Sequence, residues 1–395
     1  HKRKELIKFL NRFNIGIRLL PSINDLVSGK VTISDFKNID VRDILDRKIE
    51  VNTLALNEQF KNKTVLITGA GGSIGSELSI QLVKLNLSKI ILLDHSEFNL
   101  YKIQTMLEEK YINKSDRIEV ISILSSINDP DRLNNIFQNY KPDYVFHAAA
   151  YKHVPIVEEN IVDSVKNNVF GSLNLLIAAL NHKVKKFILI STDKAVNPTS
   201  VMGATKRISE MFVQAYANDQ KDKTKSTLSI VRFGNVLDSS GSIIPLFREQ
   251  LKAGGPLTVT HPEMKRFFML ISEAVGLILE TSIISKGGEV FVLNMGNPVS
   301  ILELAKKMIN LSGNKVKDEK NDQGIKIEFT GLRKGEKLSE ELFIDDKYKT
   351  TENKEIFIAH EEFKPIDELN IFIADLKKAV QENNQQLIID LMSVN

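Results

Sequence analysis

The adjacent residues Asp193 and Lys194 place a carboxyl group, which can act as an acid, beside an amine, which can act as a base. The two residues directly follow the run 187–192, which is apolar and β-branched and is typical of a buried strand. The carboxyl end of a parallel strand is where α/β sheets commonly bind their ligands. The pair is therefore a candidate for proton transfer, although a surface ion pair would use the same two residue types.

A predicted helix after this pair presents Met202 and Lys206 on one face, because side chains four residues apart lie one turn apart. In short-chain dehydrogenases a Tyr stands four residues before such a Lys and acts as the base. Met202 occupies the Tyr position here, and a thioether cannot take a proton. Proton transfer must therefore use other groups, and Thr192 and Asp193 are the nearest candidates in the sequence.

A glycine-rich segment follows the first strongly apolar run and opens a helical pattern. Its glycines Gly69, Gly72 and Gly75 are spaced by three residues, as in short-chain dehydrogenases. Glycine permits a tight turn and a close backbone approach, and the helix that starts at Ser73 and Ile74 then directs its amino terminus at a pyrophosphate. The segment predicts a dinucleotide-binding loop.

Further groups predicted to contact a cofactor lie at the ends of two later apolar runs. Asp94 stands about 20 residues after the last glycine, where a carboxylate binds the adenosine ribose hydroxyls and repels a 2′-phosphate. We therefore expect NAD rather than NADP. Ala148 and Ala149 have small side chains that leave room for a nicotinamide ribose, although tight packing would explain them equally well.

These candidate groups lie on a repeating pattern of short apolar strands and amphipathic helices. The predicted strands are 64–68, 89–94, 118–124, 144–149, 187–192 and 228–235. Continuous apolar strands that alternate with helices predict an α/β fold with a Rossmann-type, doubly wound parallel sheet.

The pattern also predicts how the chain divides. We expect residues 1–60 to be an amino-terminal lead-in and residues 61–235 to form the NAD-binding domain with the catalytic residues. After residue 235 turns rich in Gly and Pro appear, with helical patterns near 301–311 and 366–382. We expect residues 236–395 to form mainly a smaller α/β domain that binds the substrate.

Composition and charge exclude several classes of protein. The net charge is +3 and the basic residues are scattered, so we expect no nucleic-acid partner. The absence of Cys excludes disulfides, thiolate zinc sites and a cysteine nucleophile, and we expect no metal site. No apolar run approaches the ~20 residues of a membrane span. The chain begins with His1 rather than Met, so we expect that an upstream piece has been removed.

Together with the glycine loop and Asp94, the segments HAAAYKHVP (147–155) and STDK (191–194) complete a family pattern. Over residues 15–360 the chain resembles the UDP-N-acetylglucosamine 4,6-dehydratases of the extended short-chain dehydrogenase group. It is most similar to their large, membrane-tethered branch, typified by PglF and WbpM, which carries Met where small inverting members keep Tyr. The resemblance implies that the full-length protein lies at the cytoplasmic face of the bacterial inner membrane, and that this fragment is soluble. It also implies a homodimer or a higher homo-oligomer.

This resemblance implies that NAD-dependent loss of water converts UDP-GlcNAc to a UDP-4-keto-6-deoxy-N-acetylhexosamine. The expected product retains its carbon-5 configuration and serves bacillosamine-type glycan synthesis. Lys194 suits the base for the carbon-5 proton if burial and a neighbouring cation lower its pKa. Asp193 suits the acid for the carbon-6 hydroxyl if burial keeps it protonated. Thr192 would hydrogen-bond the carbon-4 hydroxyl, and Lys206 would hold the nicotinamide ribose.

The same resemblance implies the residues that bind the substrate. Asn235 would contact the diphosphate-sugar, and Arg266 and Arg333 can bind phosphate through bidentate hydrogen bonds. Glu336 would accept the uridine ribose hydroxyls. Lys152 is expected to line the sugar site, and a purely structural role is its alternative.

Two other functions stay open at this point. A UDP-sugar 4-epimerase also oxidises carbon 4 with NAD, but it needs no acid–base pair for carbon 6 and normally keeps the Tyr. A non-catalytic sensor of NAD or of a nucleotide sugar would simply have lost the Tyr. The intact pair of Asp193 and Lys194 beside Met202 argues against both.

Overall fold

The computed structural model describes residues 51–393, apart from 112–117, 221–224, 238, 240, 319–321 and 346, and two short strands near the amino terminus. These two strands, Arg18–Leu19 and Lys37–Asn38, pair antiparallel. The rest of the predicted lead-in up to residue 50 lies outside the described residues. Within the described ranges, no helix combines the length and apolar character needed to cross a membrane.

One nine-stranded sheet forms the centre of the molecule. Its first six strands are β1 (Thr64–Thr68), β2 (Lys89–Asp94), β3 (Glu119–Leu124), β4 (Tyr144–His147), β5 (Lys186–Ile190) and β6 (Thr227–Arg232). They are all parallel and lie in the order β3-β2-β1-β4-β5-β6. The reversal of strand order between β1 and β4 creates the crevice in which doubly wound sheets bind ligands. The predicted Rossmann-type fold is therefore confirmed.

The carboxyl-terminal part of the chain both covers and completes this sheet. Its strands are β7 (Asn235–Val236), β8 (Leu257–Val259), β9 (Lys265–Arg266), β10 (Phe268–Met269), β11 (Val290–Leu293), β12 (Val299–Ser300), β13 (Ile327–Phe329), β14 (Tyr348–Thr350) and β15 (Ile356–Ala359). Strand β11 pairs parallel with β6, and β15 and β14 follow it antiparallel. The chain thus returns to the main sheet after residue 235, and a single boundary at that residue does not describe this. The predicted domain limits stay a prediction.

Helices accompany the strands throughout. They are α1 (Thr53–Phe60), α2 (Ser73–Leu82), α3 (Glu97–Lys110), α4 (Pro130–Tyr140), α5 (Val154–Glu159), α6 (Ile161–Val165), α7 (Ser172–Asn181), α8 (Val201–Gln220), α9 (Ile243–Lys252), α10 (Ile271–Ile284), α11 (Ile301–Leu311), α12 (Ile366–Gln381) and α13 (Gln385–Met392). Helices α11 and α12 match the two late helical patterns in the sequence.

Alternation along the strands explains why helices pack on both faces of the sheet. Successive side chains of a strand point to opposite faces. In β1, Leu66 packs into a core with α4–α8, α12 and α13, whereas Val65 and Ile67 pack into a second core with α1–α3 and α10. A third core joins α9 and α11 beside β8 and lies outside the main sheet. This third core supports the part of the chain that closes over the carboxyl ends of the strands.

Candidate active site

The acid–amine pair lies just beyond the carboxyl end of strand β5. The strand ends at Ile190, two residues earlier than the sequence pattern predicts, and Asp193–Ala195 form a single 3₁₀ turn. The Asp193 N–H still donates to the Phe233 carbonyl at 3.1 Å, so the turn stays attached to the neighbouring strand. Asp193 and Lys194 therefore lie at the ligand-binding edge of the sheet.

Gly203 lets helix α8 pack directly against this turn. A Cβ at Gly203 would lie 2.2 Å from the Lys194 carbonyl oxygen, so a larger residue would force the two segments apart. The close approach places Met202 and Lys206 beside the turn, and both line the same cavity as Thr192 and Lys194. The predicted face of α8 is thus part of the site.

A cavity of about 610 Å³ collects most of the predicted site residues. This volume is within the range of pockets that hold small organic ligands. The predicted residues among its lining are Ile74, Ala148, Lys152, Thr192, Lys194, Met202, Lys206, Asn235, Arg266, Arg333 and Glu336. A second cavity of about 280 Å³ is lined by the glycine loop, including Gly69, Gly72, Ser73, Ile74 and Gly75, and shares Ile74, Ala148 and Lys152 with the first. In this structure Asp94, Ala149 and Asp193 are not lining residues of either cavity.

Asp193 is fully buried behind side chains that do line the cavity. Its Oδ1 accepts hydrogen bonds from Thr192 Oγ1 at 2.9 Å and from Lys194 Nζ at 3.0 Å. Its Oδ2 has no hydrogen-bond partner among the described residues. Gly234 leaves room for this oxygen, because a Cβ there would lie 2.9 Å from it. Asp193 is therefore connected to the cavity by its hydrogen bonds with Thr192 and Lys194.

Lys194 is held by two carboxylates instead of one. Its Nζ lies 3.4 Å from Glu340 Oε1 and 3.5 Å from Asn235 Oδ1, in addition to the bond with Asp193. Burial lowers the pKa of Lys194, but the charges of Asp193 and Glu340 outweigh burial, and the pKa is raised. The nearby cation is Arg266, which has only a small lowering effect on this pKa. The lowered pKa predicted for Lys194 is therefore wrong for this state of the protein.

Lys206 is buried below the cavity, and its amine is held by the backbone of β5. Its Nζ donates to the Ile190 carbonyl at 2.8 Å. Burial lowers the pKa of Lys206 to about 8, against a smaller raising effect of Glu210. Burial and the Lys206 charge also lower the pKa of His147 to about 3, so this imidazole is neutral. Of these two buried groups, Lys206 is therefore the one that carries a positive charge beside the main cavity.

The glycine loop has the shape needed for a dinucleotide. Gly69 has φ +66°, and a Cβ on it would lie 2.8 Å from the backbone of Ala149. Only glycine allows both this left-handed conformation and this close approach. Gly72 caps the helix that begins at Ser73, so the amino terminus of α2 is directed at the second cavity. Ala149 therefore acts through its backbone, against which the loop packs.

Asp94 is buried at the end of β2 and fastens the glycine loop. Its Oδ2 accepts the Gly71 N–H at 2.9 Å, and its Oδ1 accepts the Ser96 N–H at 2.8 Å. These contacts place the carboxylate beside the loop, as the spacing predicts. The contact of Asp94 with ribose hydroxyls stays a prediction.

A π-helical turn, Lys166–Gly171, contains Asn168, which is buried next to the residues that line the cavity. Asn168 Oδ1 accepts the Tyr151 N–H at 2.8 Å, while its Nδ2 donates to the Tyr151 carbonyl at 2.9 Å and to Thr205 Oγ1 at 3.1 Å. Single π-helical turns are frequent at functional sites. Here the turn connects the segment after β4 with helix α8. That segment contributes Lys152 to the lining of the main cavity, and α8 contributes Met202.

Three of the residues predicted to bind the substrate, Arg266, Arg333 and Glu336, lie together in the lining of the main cavity. Arg266 Nη2 lies 3.5 Å from Glu336 Oε1, and its Nε lies 3.9 Å from Glu340 Oε1. The Glu336 side chain also accepts the Arg333 N–H at 3.1 Å. Strand β9 and the loop after β13 therefore bring these residues together, and their contacts with a substrate stay predictions. In the described part of the chain, no group of three or more metal-ligating side chains could hold a metal ion.

A buried network of charges supports the site from below, and the sequence analysis missed it. Arg232 donates to Glu210 at 2.7 and 2.6 Å and also pairs with Glu361. Arg207 lies 3.2 Å from Glu210 and 3.4 Å from Glu361, and Ser191 Oγ donates to Glu210 at 2.6 Å. Burial raises the pKa of Glu210, but the Arg232 and Arg207 charges outweigh burial and lower it. The signal in the sequence is slight: a lone Arg at the end of an apolar strand.

Comparison with known proteins identifies the family. A family model described as "Polysaccharide biosynthesis protein" matches residues 65–361, which include both cavities' main lining segments. The chain belongs to this family.

The chain is similar in sequence to proteins whose names refer to capsule or polysaccharide biosynthesis. It is 46% identical over 339 residues to the capsular polysaccharide biosynthesis protein CapD of Staphylococcus aureus, covering 86% of this chain and 55% of CapD. It is 41% identical over 343 residues to the probable polysaccharide biosynthesis protein EpsC of Bacillus subtilis (strain 168), covering 87% and 55%. The chain thus spans about half the length of these relatives. It is also 34% identical over 284 residues to a UDP-glucose 4-epimerase of Rickettsia typhi, covering 72% and 78%.

The fold of the chain is similar to the folds of several solved structures. Pen from Bacillus thuringiensis aligns with a TM-score of 0.67 and 34% identity, over 78% of this chain and 92% of Pen. DesIV from Streptomyces venezuelae, a dTDP-glucose 4,6-dehydratase solved with NAD and TYD bound, aligns with a TM-score of 0.60 and 20% identity, over 83% and 99%. A UDP-glucose 4-epimerase of Thermotoga maritima solved with UDP-glucose aligns with a TM-score of 0.57 and 22% identity, over 71% and 89%.

Proposed function

We propose that this protein catalyses the NAD-dependent 4,6-dehydration of UDP-GlcNAc to a UDP-4-keto-6-deoxy-N-acetylhexosamine with retained carbon-5 configuration, for bacterial glycan synthesis. The observation that supports this is that Thr192 and Lys194 line one cavity with Met202 and both donate hydrogen bonds to the buried Asp193. Removal of water requires an acid and a base in addition to an oxidant at carbon 4. The group supplies both, although the Tyr position is occupied by Met202.

The cavity beside the glycine loop fits NAD. The left-handed Gly69, the helix that starts at Ser73 and the buried carboxylate of Asp94 are the elements that a dinucleotide requires. When bound, NAD would accept a hydride from carbon 4 and return it to carbon 6. Lys206 would hold the nicotinamide ribose, because it lines the main cavity and its amine is held at the end of β5 by the Ile190 carbonyl.

The contacts of Asp193 give each proton a defined path. Thr192 Oγ would take the proton of the carbon-4 hydroxyl and pass its own proton to Asp193, to which it already donates. The protonated Asp193 would then return a proton through Thr192 to the departing carbon-6 hydroxyl, which leaves as water. Lys194, once neutral, would take the carbon-5 proton and give it back to the same face. Both residues end in their starting states, and the sugar has lost one water.

The part of the cavity lined by Arg266, Arg333 and Glu336 fits the uridine diphosphate. Arg266 and Arg333 offer guanidinium groups to the phosphates, and Glu336 offers a carboxylate to the ribose hydroxyls. Asn235 lies within 3.5 Å of Lys194 Nζ, and so stands between the diphosphate and the reacting sugar. Lys152 lines both cavities and would contact the sugar where it meets the nicotinamide.

A UDP-sugar 4-epimerase is the second candidate, and the names of several relatives favour it. The Rickettsia typhi relative is called a UDP-glucose 4-epimerase at 34% identity. An epimerase also needs NAD and a cavity for a UDP-sugar, but it leaves the carbon-6 hydroxyl in place. Asp193 would still take the carbon-4 hydroxyl proton through Thr192, but Lys194 would have no carbon-5 proton to remove.

One experiment separates the candidates. The purified protein is incubated with UDP-GlcNAc in deuterated water and followed by proton NMR and mass spectrometry. Dehydration gives a product that has lost one water and carries deuterium at carbon 5. A parallel incubation in ordinary water keeps the carbon-5 proton, whose nuclear Overhauser contacts with the other ring protons give the configuration. Epimerisation leaves the mass of the sugar unchanged, and a sensor binds the substrate without turnover.

The resemblance also leads us to propose a location and an assembly. We propose that the full-length protein acts at the cytoplasmic face of the bacterial inner membrane and that the catalytic part forms a homodimer or a larger homo-oligomer. Fractionation of cells that express the full-length protein tests the location. Light scattering on this chain tests the assembly.

A further inference from the structure

Glu340 is a buried acid that the proposed chemistry does not use. It lies in the loop between β13 and β14 and is only 6% exposed. Its Oε1 lies 3.4 Å from Lys194 Nζ and 3.9 Å from Arg266 Nε. Its Oε2 has no hydrogen-bond partner among the described residues. Burying a carboxylate costs free energy unless the charge is paired. The groups that pair with Glu340 therefore indicate its role.

The partner is the amine that must change its protonation during the reaction. Lys194 can take a proton from carbon 5 only as a neutral amine. In this structure two carboxylates, those of Asp193 and Glu340, contact its Nζ and favour the ammonium. Asp193 has its own task as the acid. Glu340 is therefore the carboxylate at this amine that carries no proton in the proposed scheme.

We propose that Glu340 is a positioning residue that shares the Lys194 ammonium with Asp193 and thereby sets the pH at which this amine becomes a base. The proposal rests on the proposed function, in which Lys194 is the base. Glu340 does not touch the sugar in this scheme, since it is not a lining residue of either cavity.

The charges around Lys194 agree with this role. Among the residues that the structure describes, three charged groups face its amine from three separate segments: Asp193 on the 3₁₀ turn, Glu340 on the loop after β13, and Arg266 on β9. Burial lowers the pKa of Lys194, the two carboxylates raise it more, and Arg266 lowers it slightly. Arg266 also contacts Glu340, so the same carboxylate links the predicted diphosphate-binding side of the cavity to the base.

The direction of the effect follows from the signs of the charges. A negative charge within about 4–6 Å of an amine raises its pKa by about 1–3. Removing the charge of Glu340 therefore lets Lys194 lose its proton at a lower pH. We expect the acid limb of the pH profile of kcat/KM to move down by about one pH unit or more in Glu340→Gln.

The test compares Glu340→Gln with Glu341→Gln in the same chain. Glu341 is exposed and contacts Lys337 and Asn197, so its substitution makes the same change of charge one residue away from the site. We expect the acid limb to move in Glu340→Gln and to stay in place in Glu341→Gln. A Glu340→Gln enzyme that is slower at every pH, with the limb in its original position, would show that Glu340 is merely structural.

A second measurement does not depend on turnover. Lysine labelled with ¹³C at Cε is followed by NMR against pH without substrate, and the Lys194 signal is assigned from Lys194→Arg. We expect Lys194 to titrate at lower pH in Glu340→Gln than in the wild-type chain, and an unchanged titration would overturn the proposal. If Glu340→Gln does not fold, Glu340→Asp keeps the charge but retracts it, and a smaller shift in the same direction is expected. Failure of wild-type turnover would refute the proposed function, whereas the titration would still test the effect of Glu340 on the Lys194 amine.

Discussion

The buried network around Arg232 makes a quantitative prediction about stability. Arg232→Met removes the guanidinium but keeps an apolar side chain in the space at the end of β6. Two carboxylates, Glu210 and Glu361, then lose a buried partner, because Arg232 contacts both. Removing one partner of a buried ion pair costs about 3–5 kcal/mol, since the remaining charge stays desolvated. Arg207 still contacts both carboxylates at 3.2 and 3.4 Å, so we expect the lower half of that range.

Urea unfolding followed by far-ultraviolet circular dichroism measures this loss, and the chain has no Trp to serve as a fluorescent probe. Arg132→Met is the matched control, because Arg132 is exposed on α4 and its change should stay within about 0.5 kcal/mol. The network also predicts a pH dependence. The pKa of Glu210 is lowered in the folded protein, so its stabilising contribution is full above the unfolded value of about 4.3 and is lost as the pH falls through the folded pKa. A loss of less than about 1 kcal/mol in Arg232→Met would refute the reasoning.

Three further predictions concern the cavity. Asp193→Asn and Lys194→Ala should each lower kcat by about 10²–10⁴-fold while UDP still binds by calorimetry, and near-normal turnover in either would make the pair structural. Glu336→Ala should raise KM and largely keep kcat, because a hydrogen bond to a charged group is worth about 1.5–3 kcal/mol. Unchanged affinity for UDP in that variant would place the uridine elsewhere. Met202→Ala should lose little activity, through packing alone, whereas Thr192→Val should lose much more, because Thr192 carries the proton path to Asp193. Initial rates on the two purified variants decide this, and the opposite order would contradict the assignment.

The sequence predicted those parts of the site that local spacing determines. The glycine loop and the pair of Met202 and Lys206 are set within single turns, and the structure places them where the spacing indicated. The parallel sheet was predictable for the same reason, because each of its first strands is a short apolar run followed by a helix. Residues that lie close in the chain constrain one another directly.

The missed features depend on segments far apart in the chain. The pKa of Lys194 is raised by Asp193, its neighbour in the chain, and also by Glu340, which comes from a loop without periodic pattern and lies 3.4 Å away. Spacing around Lys194 contains no information about that contact. The same holds for Arg232, whose partners Glu210 and Glu361 come from a helix and from the segment after the last strand. Local motifs thus predict the glycine loop and the face of helix α8 that carries Met202 and Lys206, but they contain no signal for electrostatic contacts between distant segments.

The late return of the chain to the sheet has a consequence for synthesis on the ribosome. Strand β6 emerges long before β11, its neighbour, and Arg232 emerges long before Glu361. Until the last strands leave the exit tunnel, the nascent Rossmann half presents an open strand edge and a guanidinium that has only part of its final charge balance. Such an edge invites pairing with another chain. The nascent protein therefore depends on its final third, or on a chaperone that covers this edge, to avoid association with other chains.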